Sequence, residues 1–247
     1  RYQRKNQPNR QKPMKPFLPI LLFAMISISP VHAQKKDAFK SELYLGVGGG
    51  VMSAGMDFMP TIQQSFMMGM HGGLSAKVIT EKHLGLIAEV NYSKRGWTEE
   101  FDPGNDFSYS RTLNYLEIPV LTHIYFGKKL RFIVNAGPQI SILLNDEQAM
   151  SQALADDIAE KQSADPEAPI GGQYSPSDAL RKFDYGLTGG IGLELKTGRG
   201  ILNLEGRYYF GLGDLFVFES RNSPNAYFSR SAHRLIEAKL TYYIQIR

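Results

Sequence analysis

The stretch FDYGLTGGIGLELKTGRGILNLEGRYYFGL, residues 183–212, decides the fold of this chain. Up to Leu195, apolar residues occupy every second position and alternate with polar, charged or glycine residues. This period of two is typical of a β-strand with two unlike faces. Gly198-Arg199 has glycine first, as a two-residue type II′ turn prefers. The stretch therefore predicts a hairpin in which Arg207 lies opposite Gly190 and Glu205 lies opposite Gly192.

The same alternation recurs in eight segments from Glu42 to the last residues. The tight connections between them are 81–83, 127–129 and 198–199, and the long ones run roughly over 53–65, 97–108, 145–182 and 213–232. Strict alternation of short and long connections is typical of an up-and-down barrel with one plain and one elaborated rim. We therefore predict an all-β fold, an eight-stranded antiparallel up-and-down transmembrane β-barrel with three short periplasmic turns and four long extracellular loops. This fold predicts the outer membrane of a Gram-negative bacterium as its location.

Charge pairing across strands distinguishes this barrel from a soluble sandwich, because periodicity alone fits both. If the last hairpin is aligned so that Arg207 faces Glu237, then Glu205 faces Lys239, and glycines leave room beside these charges. A closed lumen needs such complementary charges, because buried ions must be paired. The predicted lumen network, which we expect to be structural, consists of Glu89, Glu117, Glu194, Glu205, Arg207, Glu237 and Lys239.

The two other tight turns predict further pairs. The turn at 81–83 sets Val78 against Leu86 outside and Ser75 against Glu89 inside. The turn at 127–129 sets Ile124 against Phe132 outside and Glu117 against Gln139 inside. Aromatic residues near strand ends suit two interfacial girdles. These residues are Tyr92, Trp97, Tyr109, Phe126 and Tyr242.

The N-terminal segment is predicted to be a secretory signal. Lys15 precedes an apolar stretch from Phe17 to Ile28, and Val31-His32-Ala33 suits signal peptidase. We expect upstream residues and a cleaved signal peptide over 1–33, with Met14 as the start, then a linker over 34–41 and the barrel over 42–247. The six basic residues of 1–33 account for the net charge of +4, since 28 basic and 24 acidic residues then become 22 and 24. The apparent basicity is therefore no evidence for nucleic-acid binding.

No motif for catalysis, a cofactor or a metal stands out. The chain has no cysteine, and its histidines lack paired ligand spacing. Gly46-Val47-Gly48-Gly49-Gly50 lies inside a predicted strand with no helix after it, so it fails the context of a dinucleotide loop. Methionines between Met52 and Met70 fit lipid-facing or loop packing better than Cu(I) binding. We expect no catalytic residue, no cofactor and no metal.

The third long loop, 145–182, is the strongest local anomaly. Apolar residues at helical spacing predict a short amphipathic helix over 147–161. The loop carries eight acidic residues against three basic ones, which fits either a solvated surface or a site for a partner or cations. The residues proposed for a partner are Met150, Leu154, Asp156, Asp157 and Ile158.

Four blocks of residues resemble the PorT-type outer-membrane β-barrel family of Bacteroidota over most of 42–246. They are Tyr92-Ser93-Lys94-Arg95-Gly96, Tyr115-Leu116-Glu117-Ile118-Pro119, Gly137-Pro138-Gln139, and Gly206-Arg207-Tyr208-Tyr209-Phe210-Gly211-Leu212. The resemblance implies an eight-stranded barrel with a signal peptide and no catalytic motif. The member that gives the family its name takes part in type IX protein secretion. The Ile246-Arg247 end departs from the terminal aromatic of the usual assembly signal.

These observations predict a non-enzymatic structural or adaptor protein with a side-chain-filled lumen, because eight strands enclose a space just wide enough for side chains. An accessory role in type IX-like secretion is the more specific hypothesis. The alternative is a narrow channel or small-ligand transporter that uses the charged lumen. The expected partners are outer-membrane lipid or lipopolysaccharide, and proteins bound through the long loops or the periplasmic rim, with no nucleic acid.

Overall fold

A computed structural model describes residues 40–165, 171–198, 200–216 and 228–246. The predicted signal segment, 1–33, and most of the linker, 34–41, lie outside the described residues. The strands are β1 (Glu42–Met59), β2 (Gln64–Glu81), β3 (Leu84–Glu99), β4 (Tyr109–Gly127), β5 (Leu130–Met150), β6 (Phe183–Lys196), β7 (Gly200–Gly211) and β8 (Arg230–Gln245). They form a closed antiparallel barrel in sequence order, with β1 paired to β8. The predicted fold class is confirmed.

The registers of two hairpins and of the β7–β8 pair are confirmed. Arg207 pairs with Gly190 on β6 and with Glu237 on β8. Val78 pairs with Leu86, and Ser75 pairs with Glu89.

The β4–β5 register is wrong by two residues. Ile124 pairs with Val134 rather than Phe132, and Glu117 pairs with Ser141 rather than Gln139. The reason is Gly127, which adopts a φ of +116° and still pairs with Arg131, so the turn moves towards the C-terminus. A shift of two leaves every side chain on its predicted face, because faces alternate with a period of two.

Two further boundaries are corrected. The predicted loop 53–65 is mostly strand, because β1 and β2 continue until only 60–63 connects them. The predicted helix 147–161 is instead α1, Gln152–Ala164, with the Ser151 hydroxyl accepting a hydrogen bond from the Leu154 N–H as its N-cap. The strand takes residues before 151, since Glu147 pairs with Thr112 on β4. Two short 3-10 turns, 172–174 and 177–179, follow α1 before β6.

The outer surface carries a broad apolar band near the short-turn rim. Side chains such as Leu45, Val51, Leu74, Ile191 and Leu240 are each about half exposed or more on the outward face. No helix among the described residues is long and apolar enough to cross a bilayer. Many inward positions at the same height are polar, such as Lys239 and Thr241 on either side of Leu240, which is the arrangement of a membrane barrel.

The polarity of β1 reverses above this band. At the far end of β1 the buried inward residues are Ala54, Met56 and Phe58, while Asp57 points outward to Arg234. The 21 residues of β5 would extend over about 70 Å at ~3.3 Å per residue. A membrane needs only about 9–11 residues per strand, so the upper part of the wall stands outside the bilayer.

The cost of placing a charge on the outer face should depend on its depth in the membrane. We expect Leu240→Arg, near the middle of the apolar band, to destabilise the folded barrel by about 2–4 kcal/mol, and Ile246→Arg, at the periplasmic rim, by about 0–1 kcal/mol. Urea unfolding in lipid vesicles measures both. Equal losses would show that the apolar band does not face hydrocarbon.

Candidate functional site

The centre of the lumen is organised around Glu89. The Arg207 guanidinium donates two hydrogen bonds to its carboxylate, at 2.8 and 2.9 Å, and the Lys239 ammonium donates a third at 2.6 Å. Arg207 also donates to Glu205 at 2.9 Å, and Glu205 accepts from the Asn135 amide at 2.7 Å. Two cations therefore offset two carboxylates, with bidentate geometry that fixes the Arg207 side chain.

A second group of charges lies towards the periplasmic rim. The Lys77 ammonium donates to Glu194, and Arg131 lies 3.9 Å from the same carboxylate. Lys77 also stands over the Tyr243 ring at 4.0 Å, and Arg131 over the Tyr125 ring at 4.2 Å. The buried apolar and aromatic side chains that fill this end are Tyr44, Ile79, Tyr125, Ile133, Ile201 and Tyr243.

A third group lies towards the extracellular side. Arg95 donates to Asp184 at 2.8 Å and to Glu117 at 3.3 Å, and its guanidinium stacks over the Tyr115 ring at 3.7 Å. The Tyr209 hydroxyl donates to Asp184 at 3.0 Å. One guanidinium thus forms ion pairs with two carboxylates here.

The structure places all seven predicted lumen residues on the inward face and buries them. It does not pair them all as expected, since Arg207 and Lys239 both donate to Glu89 on β3. Glu237 faces Arg207 across the strands, yet the basic group within 4 Å of it in the described chain is His71, at 3.9 Å. Contacts across the lumen join strands that are not neighbours, so hairpin registers could not reveal them.

Four lumen charges were not predicted: Lys77, Arg95, Arg131 and Asp184. Each lies an even number of residues from a predicted inward residue on the same strand, as Arg95 does from Glu89, or pairs directly with one, as Arg131 does with Glu194. Extending the alternation along each strand would have found them.

Above the charges, an apolar cap closes the barrel. Phe58 contacts Trp97 edge-to-face at 5.2 Å and Phe228 at 4.7 Å. Arg111 lies beside this cap and donates two hydrogen bonds to the Asp146 carboxylate, at 2.8 and 2.6 Å. The buried members of the cap are Met56, Phe58, Trp97, Tyr109, Leu113, Tyr115, Leu154, Leu180, Leu215, Phe216 and Phe228.

The cap corrects the predicted girdle. Trp97 and Tyr109 are fully buried inward rather than exposed at the interface. Trp97 lies an even number of residues from the inward Ser93 and Arg95, so its direction follows from alternation. Tyr92, Phe126 and Tyr242 do face outward.

Beside the cap, the extracellular connections line a chamber of about 710 Å³ that is open to solvent. Its apolar wall includes Ile62, Phe101, Phe107, Leu154 and Ile158. Its acidic lining consists of Glu99, Glu100, Asp102 and Asp157, and Lys161 is the base among the lining residues.

Hydrogen bonds hold the floor of the chamber in place. The Tyr174 hydroxyl donates to Glu99 at 2.9 Å, and the Gln173 amide donates to the other Glu99 oxygen at 3.1 Å. Burial, and next the Glu99 carboxylate, raise the pKa of the Tyr174 hydroxyl, so Tyr174 stays a neutral donor at ordinary pH.

The residues proposed for a partner are divided by the structure. Leu154, Asp157 and Ile158 line the chamber. Met150 ends β5 and packs against the cap, and Asp156 is exposed on α1, where it accepts a hydrogen bond from Gln152 at 2.8 Å. Asp157 pairs with Lys161 at 2.7 Å.

One group of described residues has the donor set for a metal ion. His71 on β2, Glu117 on β4 and Glu237 on β8 each bring one ligand atom within 4.8 Å of the others. Their positions on three separate strands explain why no spacing motif marks them.

Comparison with known proteins identifies a family and several similar structures. The outer membrane protein beta-barrel domain family matches residues 32–217. Neisserial surface protein A is similar over 82% of this chain and 98% of its own, at 12% identity and a TM-score of 0.43. OprG from Pseudomonas aeruginosa is similar over 83% and 93%, at 10% identity and a TM-score of 0.43.

Ail from Yersinia pestis, solved in complex with the heparin analogue sucrose octasulfate, is similar over 82% of this chain and 99% of its own, at 10% identity and a TM-score of 0.37. No curated protein sequence matches the chain. With the family match covering most of the barrel, the chain belongs to the outer membrane protein beta-barrel domain family and lies in the outer membrane of a Gram-negative bacterium.

Proposed function

We propose that this protein is a non-enzymatic outer-membrane scaffold with a closed lumen, and that it binds a partner through its extracellular chamber. The observation that carries the proposal is the filling of the lumen by buried side chains, among which three ion pairs lie at successive heights. The Lys77–Glu194 pair, the Arg207–Glu89 pair and the Arg95–Asp184 pair follow one another from the periplasmic side to the cap.

The filling supports a scaffold over a channel. A diffusion pathway needs water beside its charges, whereas these side chains are at most a few per cent exposed. A small cavity of about 180 Å³ beside Tyr44 and Ile201 lies at the periplasmic rim, and the large chamber lies at the opposite rim. The filled lumen separates the two cavities.

The chamber supports a binding role. It combines an apolar wall with a predominantly acidic lining, and a pocket of this kind suits a ligand with an apolar anchor and a positive charge. Contact with lipid along the outer wall is general to this fold. Selective binding of lipopolysaccharide is proposed separately, alongside a protein partner.

The PorT-type resemblance supports a more specific proposal, an accessory role in type IX-like secretion. Three of its four blocks place charged residues in the lumen, namely Arg95, Glu117 and Arg207. A deletion strain would test this role, since an accessory protein is expected to leave cargo proteins unsecreted when it is lost.

Conductance tests the closed lumen. We expect the refolded protein in planar bilayers to show no steady single-channel steps at high salt, because ion pairs and the cap obstruct the pathway. Steady steps whose size follows salt concentration would contradict the scaffold and favour the narrow channel.

The charge network predicts unequal effects of two adjacent substitutions. Arg207→Leu removes the cation that pairs with Glu89 and Glu205, so we expect a loss of about 3–5 kcal/mol in unfolding free energy. Tyr208→Leu changes a lipid-facing side chain, and we expect a change within about 1 kcal/mol. Urea unfolding in vesicles compares them, and similar losses would contradict a structural role for the network.

Photo-cross-linking tests the chamber. A photoreactive residue at Ile158, which lines the chamber, is expected to give severalfold more adduct in native membranes than one at Glu160. Glu160 is the matched control, since it is exposed on the same helix and does not line the chamber. Equal adducts at both positions would contradict binding in the chamber.

A further inference from the structure

The buried charges of the lumen are unevenly distributed. Glu89 and Glu205 are offset by Arg207 and Lys239, and Glu194 has both Lys77 and Arg131 within 4 Å. The three remaining buried carboxylates are Glu117, Asp184 and Glu237. Among the described residues, Arg95 is the one Lys or Arg side chain within 4 Å of any of these three. When all three are ionised, this part of the lumen therefore carries two negative charges that Arg95 does not offset.

Uncompensated buried charge is costly, and a bound cation is one way to remove the cost. Among the three carboxylates, this cost is highest for Glu237. Its side chain is 4% exposed, its Oε1 atom has no hydrogen-bond partner in the described chain, and no Lys or Arg described here lies within 4 Å.

His71 stands where a metal ligand would be needed. Its side chain is 1% exposed, its Nδ1 atom lies 3.9 Å from Glu237 Oε2, and its Nε2 atom has no partner among the described residues. Gly50 on β1 leaves the space for this ring. A Cβ at Gly50 would lie 2.9 Å from His71 Nε2 and 1.8 Å from the Ala238 carbonyl oxygen.

Glu117 completes the group from the opposite side. Ser93 and Arg95 both donate to its Oε1 atom, at 2.6 and 3.3 Å, so its Oε2 atom stays available as a ligand. The ligand atoms of His71, Glu117 and Glu237 lie within 4.8 Å of one another. Ligands at ~2.0–2.2 Å from one ion stand about 3–3.5 Å apart, so closure of up to about 1.5 Å would bring all three into coordination.

We propose that His71, Glu117 and Glu237 form a buried site for a divalent first-row transition-metal ion that cross-links β2, β4 and β8 inside the barrel. One imidazole and two carboxylates suit Zn²⁺ or a similar ion, whereas Ca²⁺ and Mg²⁺ prefer all-oxygen sites. A doubly charged ion matches the two uncompensated charges around Arg95. The site would be structural, because its three residues are buried and line neither of the two cavities described above.

Two other occupants could satisfy the same groups without a metal. A proton on Glu237 would remove one charge, and a water molecule could bridge Glu237 to the Arg207 Nε atom, which also has no partner among the described residues. A cluster satisfied by a proton or a water molecule would not bind Zn²⁺. The experiment therefore measures whether the protein retains Zn²⁺.

The test uses the full mature-length barrel without a histidine tag, refolded in detergent with ZnCl₂ and then desalted. We expect elemental analysis to find about one Zn²⁺ per chain, because the three residues provide ligands for a single ion. His71→Gln and Glu237→Gln should each lose nearly all of it. His123→Gln is the matched control, because His123 is also buried in the lumen and lies outside the group, so it should retain the metal.

Thermal unfolding provides a second readout if a variant binds nothing because it folds poorly. Zn²⁺ should raise the unfolding temperature of the wild type and leave that of folded Glu237→Gln unchanged, because a ligand stabilises only the state that binds it. No retained Zn²⁺ in the folded wild type would overturn the proposal, as would equal retention by Glu237→Gln. Preferential retention of Ca²⁺ over Zn²⁺ would overturn the assigned class of metal.

Discussion

Closure of the backbone is the constraint on which the rest of this structure depends. In a bilayer every strand needs a hydrogen-bonded neighbour on both sides, so the sheet must return on itself, and here β1 pairs with β8 over most of its length. Closure at eight strands sets an interior that side chains alone can fill. The inward face must therefore fill this interior with side chains, and most of its charged residues lie in groups that contain both signs.

The ion pairs in the lumen also connect strands that are not neighbours in the sheet. Hairpin hydrogen bonds join only neighbouring strands, whereas Arg207 on β7 reaches Glu89 on β3, and Lys77 on β2 reaches Glu194 on β6. Each contact spans the lumen and ties opposite walls. Truncating one partner of such a pair leaves the other buried and unpaired, so the loss of either side chain is expected to be strongly destabilising.

Much of the wall could be predicted from the sequence, because alternation and turn length are local properties. The hairpin at Gly198 gave the register of Arg207 and Glu205 from glycine placement alone. The β4–β5 register could not be predicted in this way, since it depended on Gly127 entering a left-handed conformation while staying in the ladder.

The site was less accessible to sequence reasoning. Which residues face inward follows from parity, but which inward charges meet depends on three-dimensional distances across the barrel. Glu237 illustrates this, because its cross-strand neighbour Arg207 is already engaged with Glu89 and Glu205. The chamber was partly anticipated through Leu154 and Ile158, while its wall from Ile62, Phe101 and Phe107 comes from loops that carry no periodic signal.

The reversal of polarity along β1 has a consequence for how the protein sits in its membrane. Below the reversal, Leu45 and Val51 need hydrocarbon outside; above it, the outward Asp57 needs water and the inward Phe58 needs cover. The outer face of one continuous sheet thus faces lipid below the reversal and water above it. The height of the reversal fixes how deep the barrel lies in the membrane. Sliding the barrel along the membrane normal would mismatch both halves at once, so the same strands that span the bilayer also hold the chamber at a defined height above it.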